Sequence, residues 1–443
     1  MEKEYIRILH LNDLHSHFES YPKVKRFFEE YSKTDAEVIK LDIGDNIDKS
    51  HPMTELTSGK INCQLMNELG IQFATIGNNE GIGLTKEELN QVYSDASFEM
   101  ILCNLKDNVN QPIWAKEYVI YTTKNGTRLA ILGATFPYTM AYEPNGWQIE
   151  DPISALKKTL CQKEVLEADC RILMSHLGLS VDKELTKIFP EIDVIIGSHT
   201  HHIFESGAVL NGTYMAAAGK FGQFVGEINL TFENHELRLA EMTAHETYYM
   251  ASEQGDKQWI EDFLNKGRQG LSKEWIKSFD HELSLEESCD VVMKAMLEYG
   301  QADCVLLNTG LVVEAFPKEV TNDILHHSLP HQMRLAKISL TFSEFVAIVK
   351  EVMKEANYLK SQEIRGMGFR GKIFGEMVFL GFDFRDGELH LDAKIDGDSP
   401  IDLMIVDQYY FAPYFERIRE KEVELLFPEL LRDVVRKYLK GEL

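Results

Sequence analysis

The chain has 443 residues, of which 44% are hydrophobic and 26% charged, a composition typical of a folded globular protein and not of a disordered one. This length exceeds that of one ordinary hydrophobic core and therefore predicts two domains. The formal net charge of -25 disfavours binding to nucleic acid polymers or anionic membranes, so an anionic ligand would need local positive charge such as metal ions.

The first 250 residues alternate short apolar runs with amphipathic stretches, which is the pattern of an α/β domain. The predicted strands are Tyr5–Leu11, Val38–Ile43, Phe73–Ile76, Met100–Cys103, Arg128–Ala134, Ile172–Met174 and Val194–Ile196. The predicted helices are Pro22–Ser32, Ser58–Leu69, Ile153–Ala168 and Lys183–Phe189. Two further apolar stretches, Tyr214–Ala218 and Val225–Phe232, predict antiparallel strands that close this domain.

The character of the chain changes after this region. Residues 252–284 are polar and helical in pattern, which predicts a linker helix region between a first domain, 1–251, and a second domain, 285–443. The second domain mixes helix and strand patterns, contains a Gly/Arg-rich run at 365–375 and ends with an aromatic-rich segment. We expect it to be a smaller α+β domain.

Cysteine usage and the chain start bear on location. The six cysteines are scattered without a C-x-x-C pair, which predicts reduced and mostly buried thiols. The first residues are acidic and run directly into a strand pattern, without the basic and apolar regions of a secretory signal. Apolar runs stay shorter than the roughly 18 residues of a membrane span. We therefore expect a cytoplasmic protein.

Polar side chains follow five of the predicted strands, at the point where each strand ends. In chain order they are Asp13 and His15, Asp45, Asn78, His176, and then His199 and His201. Open α/β sheets bind ligands at the carboxyl ends of their strands, so we expect these seven side chains to meet. Side chains alternate along extended backbone, so Asp-x-His and His-x-His are expected to present two donors on one side.

The types of donor indicate a metal centre. Imidazole, carboxylate and amide oxygen together suit Mn, Zn, Fe, Co or Ni better than calcium, which prefers oxygen alone. A carboxylate such as Asp45 can bridge two ions about 3.5–4 Å apart, the separation used for in-line displacement at phosphorus. Each motif alone also fits an ordinary turn or a core histidine. Five such motifs, each at the end of a predicted strand, favour a site that binds two divalent metal ions.

These ordered motifs resemble those of the calcineurin-like metallophosphoesterases, within which the chain is similar to the bacterial 5'-nucleotidase and UDP-sugar hydrolase group. The resemblance implies a four-layer α/β-β/α sandwich followed by a C-terminal substrate domain. It also implies that Asp13, His15 and His201 bind one metal, that Asn78, His176 and His199 bind the other, and that Asp45 bridges them. Direct attack on phosphorus by a metal-bound hydroxide is the chemistry that the resemblance implies.

One position departs from the family. Where the family usually has Gly-Asn-His-Glu, with a His that assists the leaving oxygen or stabilises the transition state, this chain has Asn79, and the Asp that often orients that His is absent. An asparagine donates hydrogen bonds but supplies no proton. His17 and His202 adjoin the predicted ligand segments and are candidates for the missing acid, although both also fit an exposed or supporting histidine.

The second domain gives a weaker signal for substrate binding. In the resembled family it supplies aromatic rings that hold the base and an Arg-bearing loop. The matching candidates here are Arg365, Phe369, Arg370, Tyr409 and Phe411. The family's Gly-rich loop is altered, since Leu311 follows Gly310. The aromatic residues among these candidates equally fit a hydrophobic core.

The sequence thus predicts a metal-dependent phosphohydrolase that acts on a small phosphoester, with a 5'-nucleotidase as the favoured hypothesis. A cyclic-nucleotide phosphodiesterase or a UDP-sugar diphosphatase is the alternative within enzymes, because the same centre accommodates diesters. A metal- or nucleotide-binding sensor that turns over weakly because of Asn79 is the alternative of a different class. Composition and motifs leave the oligomeric state open.

Overall fold

The computed structural model describes residues 3–364, 368–385, 387–392, 395 and 399–443. The chain divides into two compact units, the first ending at Asn265 and the second beginning at Lys266. This division falls inside segment 252–284, for which we predicted a linker helix region.

The first unit is an α/β fold built on two large sheets. Its strands are β1 Lys3–Leu11, β2 Glu37–Asp42, β3 Phe73–Ala74, β4 Glu99–Ile101, β5 Leu105–Lys106, β6 Ala115–Lys116, β7 Tyr118–Thr122, β8 Arg128–Thr135, β9 Gln148–Ile149, β10 Cys170–His176, β11 Val194–Gly197, β12 Ala208–Leu210, β13 Thr213–Ala216, β14 Phe224–Glu233 and β15 Glu236–Glu246. Its helices are α1 Tyr21–Tyr31, α2 Pro52–Leu56, α3 Lys60–Leu69, α4 Asn78–Gly83, α5 Lys86–Val92, α6 Thr139–Tyr142, α7 Pro152–Leu160, α8 Lys163–Leu166 and α9 Leu179–Ile188, followed by α10 Gln254–Leu271, which crosses the division.

The seven predicted strands of this unit are confirmed, with ends that differ from the prediction by no more than two residues. One sheet has the order β15-β14-β1-β2-β3-β4-β6 and the other β12-β13-β11-β10-β8-β7. Within them, β1-β2-β3-β4 and β13-β11-β10-β8 are parallel. Of the two stretches predicted to be antiparallel, β14 pairs antiparallel with β1 and β15, as expected. The other, β13, pairs parallel with β11, because β12 first reverses the chain in a hairpin with β13. The predicted helix Ile153–Ala168 is divided into α7 and α8.

Side-chain alternation explains the layers. Ile6 and Ile8 of β1 pack in one buried cluster with Ile172 and Met174 of β10, so the two sheets face each other. Leu9, on the opposite face of β1, packs under helices on the outer side of its sheet, where Phe28 of α1 lies in the same cluster. A third cluster covers the outer face of the other sheet with residues of α7 and α9. The four-layer α/β-β/α sandwich is therefore confirmed.

The beginning of α10 belongs to the packing of the first unit. Trp259 stacks on Tyr21 of α1 with ring centroids 5.2 Å apart, and Phe263 meets Phe18 edge to face at 5.2 Å. Both α10 side chains border the buried cluster beneath α1 and α3. The segment predicted to be a linker helix thus contains a helix whose first part covers an apolar surface, and it continues into a strand, Trp275–Ser278.

The second unit is a smaller α+β fold around a mixed sheet of order β20-β17-β23-β19-β24. Its strands are β16 Trp275–Ser278, β17 Cys304–Asn308, β18 Glu319–Thr321, β19 Arg334–Leu340, β20 Met377–Leu380, β21 Phe382–Arg385, β22 Glu388–Leu391, β23 Ile401–Val406 and β24 Glu424–Leu430. Its helices are α11 Leu285–Gly300, α12 Asn322–Ser328, α13 Phe342–Leu359, α14 Gln408–Phe411, α15 Glu416–Arg419 and α16 Leu431–Lys440.

Two simpler expectations can be compared directly with the structure. All six cysteines are free, and five of them are buried, as predicted, while Cys161 is exposed. Among the described residues, none of the helices combines the length and the apolar character that crossing a membrane requires.

The α10 packing gives a stability prediction. Trp259→Ala removes a stacked, partly buried ring from the first unit, so we expect its free energy of unfolding to fall by about 2 kcal/mol. Trp275→Ala is the matched control, because that ring is 59% exposed in the second unit and its loss should cost less than about 0.5 kcal/mol. Urea unfolding followed by circular dichroism measures both, and equal effects would contradict the assignment of α10 to the first core.

Candidate metal centre

The seven predicted ligands lie in the first unit at the carboxyl ends of strands from both sheets. Asp13 and His15 follow β1, Asp45 follows β2, and Asn78 comes after β3. On the facing sheet, His176 ends β10, and His199 and His201 follow β11. Because the two sheets pack face to face, their strand ends bring side chains 188 residues apart in sequence into one cluster.

Two carboxylates occupy the middle of this cluster. Asp13 Oδ1 lies 3.9 Å from His15 Nε2, 3.8 Å from His176 Nε2 and 3.6 Å from His201 Nε2. Asp45 Oδ2 lies 3.6 Å from His15 Nε2 and 3.4 Å from His176 Nε2. Each of the two carboxylates thus lies near one histidine from each sheet.

Asn78 and His199 adjoin the same cluster. Asn78 Oδ1 lies 2.8 Å from His199 Nδ1, and the His199 ring centroid is 5.4 Å from that of His176. On its other side, the His199 ring stacks on Phe136 at 4.5 Å, which fixes the ring plane. Amide oxygen and imidazole nitrogen are therefore placed beside His176, where the resemblance requires the second ligand set.

Unpaired atoms in the cluster fit a metal centre. Within the part of the chain that the structure describes, Asp13 Oδ1, His15 Nε2 and His176 Nε2 are buried without a hydrogen-bond partner. Buried polar atoms are normally paired, so three such atoms pointing at one space call for a cation. Two groups, Asp13 with His15 and His201, and Asp13 with Asp45 and His176, each have candidate ligand atoms within 4.8 Å of one another. The residues present therefore fit divalent metal ions.

The backbone at the cluster differs from our expectation. We predicted extended segments with alternating donors, but Asp13, His15, Asp45, His199 and His201 all have positive φ angles of 46°, 48°, 50°, 72° and 55°. The donors converge because the chain turns sharply after each strand, and not because of strand alternation. Such left-handed residues cost of order 1–3 kcal/mol each and tend to occur at functional sites.

A buried glutamate that the sequence analysis missed holds these turns in place. The Glu80 carboxylate accepts hydrogen bonds from the backbone N–H groups of Asp45 at 3.0 Å, Ile47 at 2.8 Å and Gly77 at 2.9 Å. Burial raises the pKa of Glu80 to about 7, and the nearby Asp45 carboxylate adds to this increase. A Cβ atom on Gly77 would lie 2.0 Å from Asp45 Oδ1, so only glycine fits there.

Further polar groups orient the ligand side chains. His176 Nδ1 donates to the Ile43 carbonyl at 2.8 Å, which leaves Nε2 facing the cluster. Asp48 Oδ2 lies 3.6 Å from His15 Nδ1, and the Ser198 hydroxyl donates to Asp13 Oδ2. Such partners fix the orientation of metal-binding histidines and carboxylates. The acid in Gly-Asp-Asn-Ile-Asp was a sequence signal for Asp48, but nothing local indicated which ligand it supports.

The charged groups in the cluster shift one another's pKa values. Burial raises the pKa of Asp13 to about 6, against the effect of His176. Burial acts to lower the pKa of His176, but the Asp45 and Asp13 carboxylates outweigh it and raise that pKa to about 10. The pKa of Asp45 is lowered, because His176 and His15 outweigh the effect of its burial. Positive charge is thus strongly favoured beside these carboxylates.

Asn79 takes part in the cluster through hydrogen bonds. Its backbone N–H donates to Asp45 Oδ1 at 2.7 Å, and its side-chain nitrogen lies 2.8 Å from His15 Nδ1 and 3.4 Å from Asp48 Oδ2. At the position of the family's catalytic histidine, the side chain thus contacts a predicted metal ligand.

The two candidates for the missing acid differ in position. The His17 ring stacks on Phe221 at 3.9 Å, and Phe221 in turn lies 5.6 Å from the His15 ring. His202 Nδ1 instead pairs with the Thr200 hydroxyl at 2.9 Å, and its Nε2 is buried near Gly197, where Asp182 also lies. His17 is therefore linked to the cluster through the Phe221 ring, whereas His202 packs at the end of β11.

The substrate residues predicted in the second unit divide into three groups. Tyr409 is fully buried and its hydroxyl donates to Asn308 Oδ1 at 2.5 Å, while Phe369 is buried against His331 at 4.7 Å. Both rings are core residues, which corrects the prediction that they stack on a base. Phe411 is half-buried, and Arg370 lies beside His331, to which its backbone N–H donates at 3.0 Å. Arg365 lies outside the described residues.

A four-layer sandwich with clustered Asp, His and Asn donors at its strand ends defines a metal-dependent phosphoester hydrolase. The profile of the calcineurin-like phosphoesterases matches residues 6–202. Over 461 aligned residues the chain is 34% identical to the uncharacterized metallophosphoesterase YunD of Bacillus subtilis (strain 168), covering 98% of each protein. The chain belongs to the calcineurin-like phosphoesterase family, as the sequence motifs indicated.

More distant relatives agree with this family. The 5'-nucleotidase of Vibrio cholerae is 25% identical over 54% of this chain, which spans about half of that protein, 51%. The crystal structure of a 5'-nucleotidase precursor from Thermus thermophilus superposes with a TM-score of 0.60 at 16% identity, covering 99% of this chain and 96% of the other. At that identity the likeness shows the shared fold.

The position of Asp45 between the two sheets gives a test of the centre. We expect Asp45→Asn to lower the metal content below two ions per chain and to reduce phosphoester hydrolysis by more than about 100-fold, since even supporting residues of metal sites are worth about 10–100-fold. Elemental analysis and phosphate release measure the two effects. Asp35→Asn, at an exposed position, is the control. Two bound metals with normal turnover in Asp45→Asn would contradict the bridging role.

Proposed function

We propose that the protein is a dinuclear metallophosphohydrolase that releases phosphate from nucleotides, a 5'-nucleotidase activity. Asp13, His15 and His201 would hold one divalent ion, Asn78, His176 and His199 the other, and Asp45 both. The observation that carries this proposal is the set of buried, unpaired atoms of Asp13, His15 and His176 in one cluster. Mn, Zn, Fe, Co and Ni all suit this mixture of donors.

The chain's own residues prepare the site for phosphoryl chemistry. When bound, the two metals activate water and neutralise the charge of the phosphate. Glu80 holds the Asp45 and Gly77 turns together through three backbone N–H groups. Ser198 and Asp48 orient Asp13 and His15, so that the ligand atoms are preorganised at little further entropic cost.

The nucleotide part of the proposal rests on the relatives. The Vibrio cholerae relative and the Thermus thermophilus structure are both named 5'-nucleotidases. In the second unit, Phe411 and Arg370 stay predicted substrate contacts, because Tyr409 and Phe369 are core residues.

A metal-dependent nucleotide sensor is the second candidate, and Asn79 favours it. The amide contacts His15 and Asp48 where the family's acid would stand, so the site retains its ligands but lacks that proton donor.

Phosphate release tests the proposal and separates these candidates. The purified chain is loaded with Mn²⁺, Zn²⁺, Co²⁺ or Mg²⁺ and given nucleoside monophosphates, UDP-sugars, cyclic nucleotides and p-nitrophenyl phosphate. We expect metal-dependent turnover with monophosphates as the best natural substrates. Tight nucleotide binding without turnover would support the sensor. A preference for cyclic nucleotides or UDP-sugars would instead indicate a cyclic-nucleotide phosphodiesterase or a UDP-sugar diphosphatase.

Asn79 predicts a dependence on the leaving group. A ribose 5'-oxygen needs a proton to leave, whereas p-nitrophenolate does not. We therefore expect Asn79→His to raise kcat for nucleoside monophosphates by about 10²-fold, near the lower limit of general acid effects, because the orienting Asp is absent. The gain for p-nitrophenyl phosphate should be much smaller. Steady-state kinetics on both substrates measure this difference.

His17 provides the matched comparison. If His17 already supplies the proton, Asn79→His changes little, and His17→Gln selectively slows the monophosphates instead. Equal effects of Asn79→His on both substrates would rule out the leaving-group explanation and leave an electrostatic role for this position.

A further inference from the structure

A strained turn adjoins the cluster between β13 and β14. Gly219, Phe221 and Gly222 have positive φ angles of 66°, 60° and 61°. This conformation is unusual for an aromatic residue and is stable only when its surroundings enforce it. The Phe221 N–H donates to the Asp13 carbonyl at 2.8 Å, and the Ser20 hydroxyl donates to the Phe221 carbonyl at 3.2 Å. The strained residue is thus tied to the backbone of a predicted metal ligand.

Glycine at 222 is required for this arrangement. A Cβ atom there would lie 2.1 Å from the Ser20 hydroxyl oxygen and 3.2 Å from a Leu14 methyl group. The turn therefore lies directly against the loop that carries Asp13 and His15, and its position is set by this close approach.

The turn places an aromatic ring beside the histidines of the cluster. The Phe221 ring centroid is 3.9 Å from that of His17, 5.6 Å from His15 and 6.4 Å from His201. Phe221 is half-buried, so part of its surface remains accessible next to the predicted ligands. It forms one wall of the site on the side of His15 and His201.

Lys220 lies against the Phe221 ring. The Lys220 Nζ atom sits 4.5 Å above the Phe221 ring centroid, a cation–π distance that directs its stem along the ring. The Phe221 ring centroid lies 6.4 Å from that of His201, so the Lys220 ammonium is held over a ring that neighbours a predicted ligand. Lys220 is half-buried and thus has limited freedom.

The negative charge of the site bears on the role of Lys220. The cluster contains the carboxylates of Asp13, Asp45 and Asp48, in a chain of net charge -25, while a phosphomonoester brings a dianion. An ammonium group beside the predicted ligands can donate charge-assisted hydrogen bonds to phosphate oxygens. We propose that Lys220, held on the Phe221 ring, binds the phosphate of the substrate and selects monoester dianions over diester monoanions. This inference rests on the proposed phosphohydrolase function.

Titration with inorganic phosphate tests the proposal without turnover. Metal-loaded wild type, Lys220→Met and Lys220→Arg are titrated by calorimetry, with metal content measured on each sample. We expect Lys220→Met to weaken phosphate binding about tenfold, the scale of one charge-assisted hydrogen bond, and Lys220→Arg to restore most of it. Metal content should stay unchanged. Lys163→Met, which removes an 86% exposed charge elsewhere on the first unit, should bind phosphate like wild type.

Steady-state kinetics test the proposed preference for monoesters over diesters. For p-nitrophenyl phosphate, Lys220→Met should raise KM about tenfold with kcat within about threefold, while bis(p-nitrophenyl) phosphate should lose much less. Unchanged phosphate affinity in Lys220→Met, a loss of metal, or equal effects on the two esters would overturn the proposal. If wild type hydrolyses no phosphoester, the proposed function fails, and the phosphate titration still decides whether Lys220 binds phosphate.

Discussion

The burial of two carboxylates among the imidazoles of His15, His176 and His201 is the constraint on which the metal centre of the first unit depends. Asp13 and Asp45 lie within 3.4–3.9 Å of histidine nitrogens that come from both sheets. Desolvated carboxylates need nearby positive charge, which the raised pKa of His176 reflects and which divalent cations supply more fully. Three features hold these acids together: the left-handed turns, the Glu80 carboxylate that accepts three backbone hydrogen bonds, and the Ser198 hydroxyl that donates to Asp13.

This arrangement also explains how so acidic a protein can act on an anionic substrate. The local field of a metal centre outweighs the global charge, because interactions between buried groups are screened little by solvent. Lys220, held over the Phe221 ring that neighbours His201, adds a cation near the predicted ligands. Under this proposal, the phosphate is bound by residues of the first unit.

The backbone and the side chain of Asn79 contribute differently to the site. Its backbone N–H still holds Asp45, so the helix that begins at Asn78 keeps its place beside the centre. Its side chain contacts His15 and cannot release a proton. We therefore expect leaving-group chemistry to be the property in which this chain differs most from relatives that have the histidine.

The sequence by itself determined the α/β strands, the order of the ligand motifs at their ends and the departure at Asn79, because side-chain periodicity and residue identity are local properties. Only the tertiary structure showed that the ligand loops turn through positive φ, that Glu80 and Asp48 support them, and that Tyr409 belongs to the core. Only the tertiary structure, likewise, brought Lys220 and Phe221 to His201. These relations join residues far apart in sequence, and they depend on how two facing sheets align their strand ends, which no local pattern encodes.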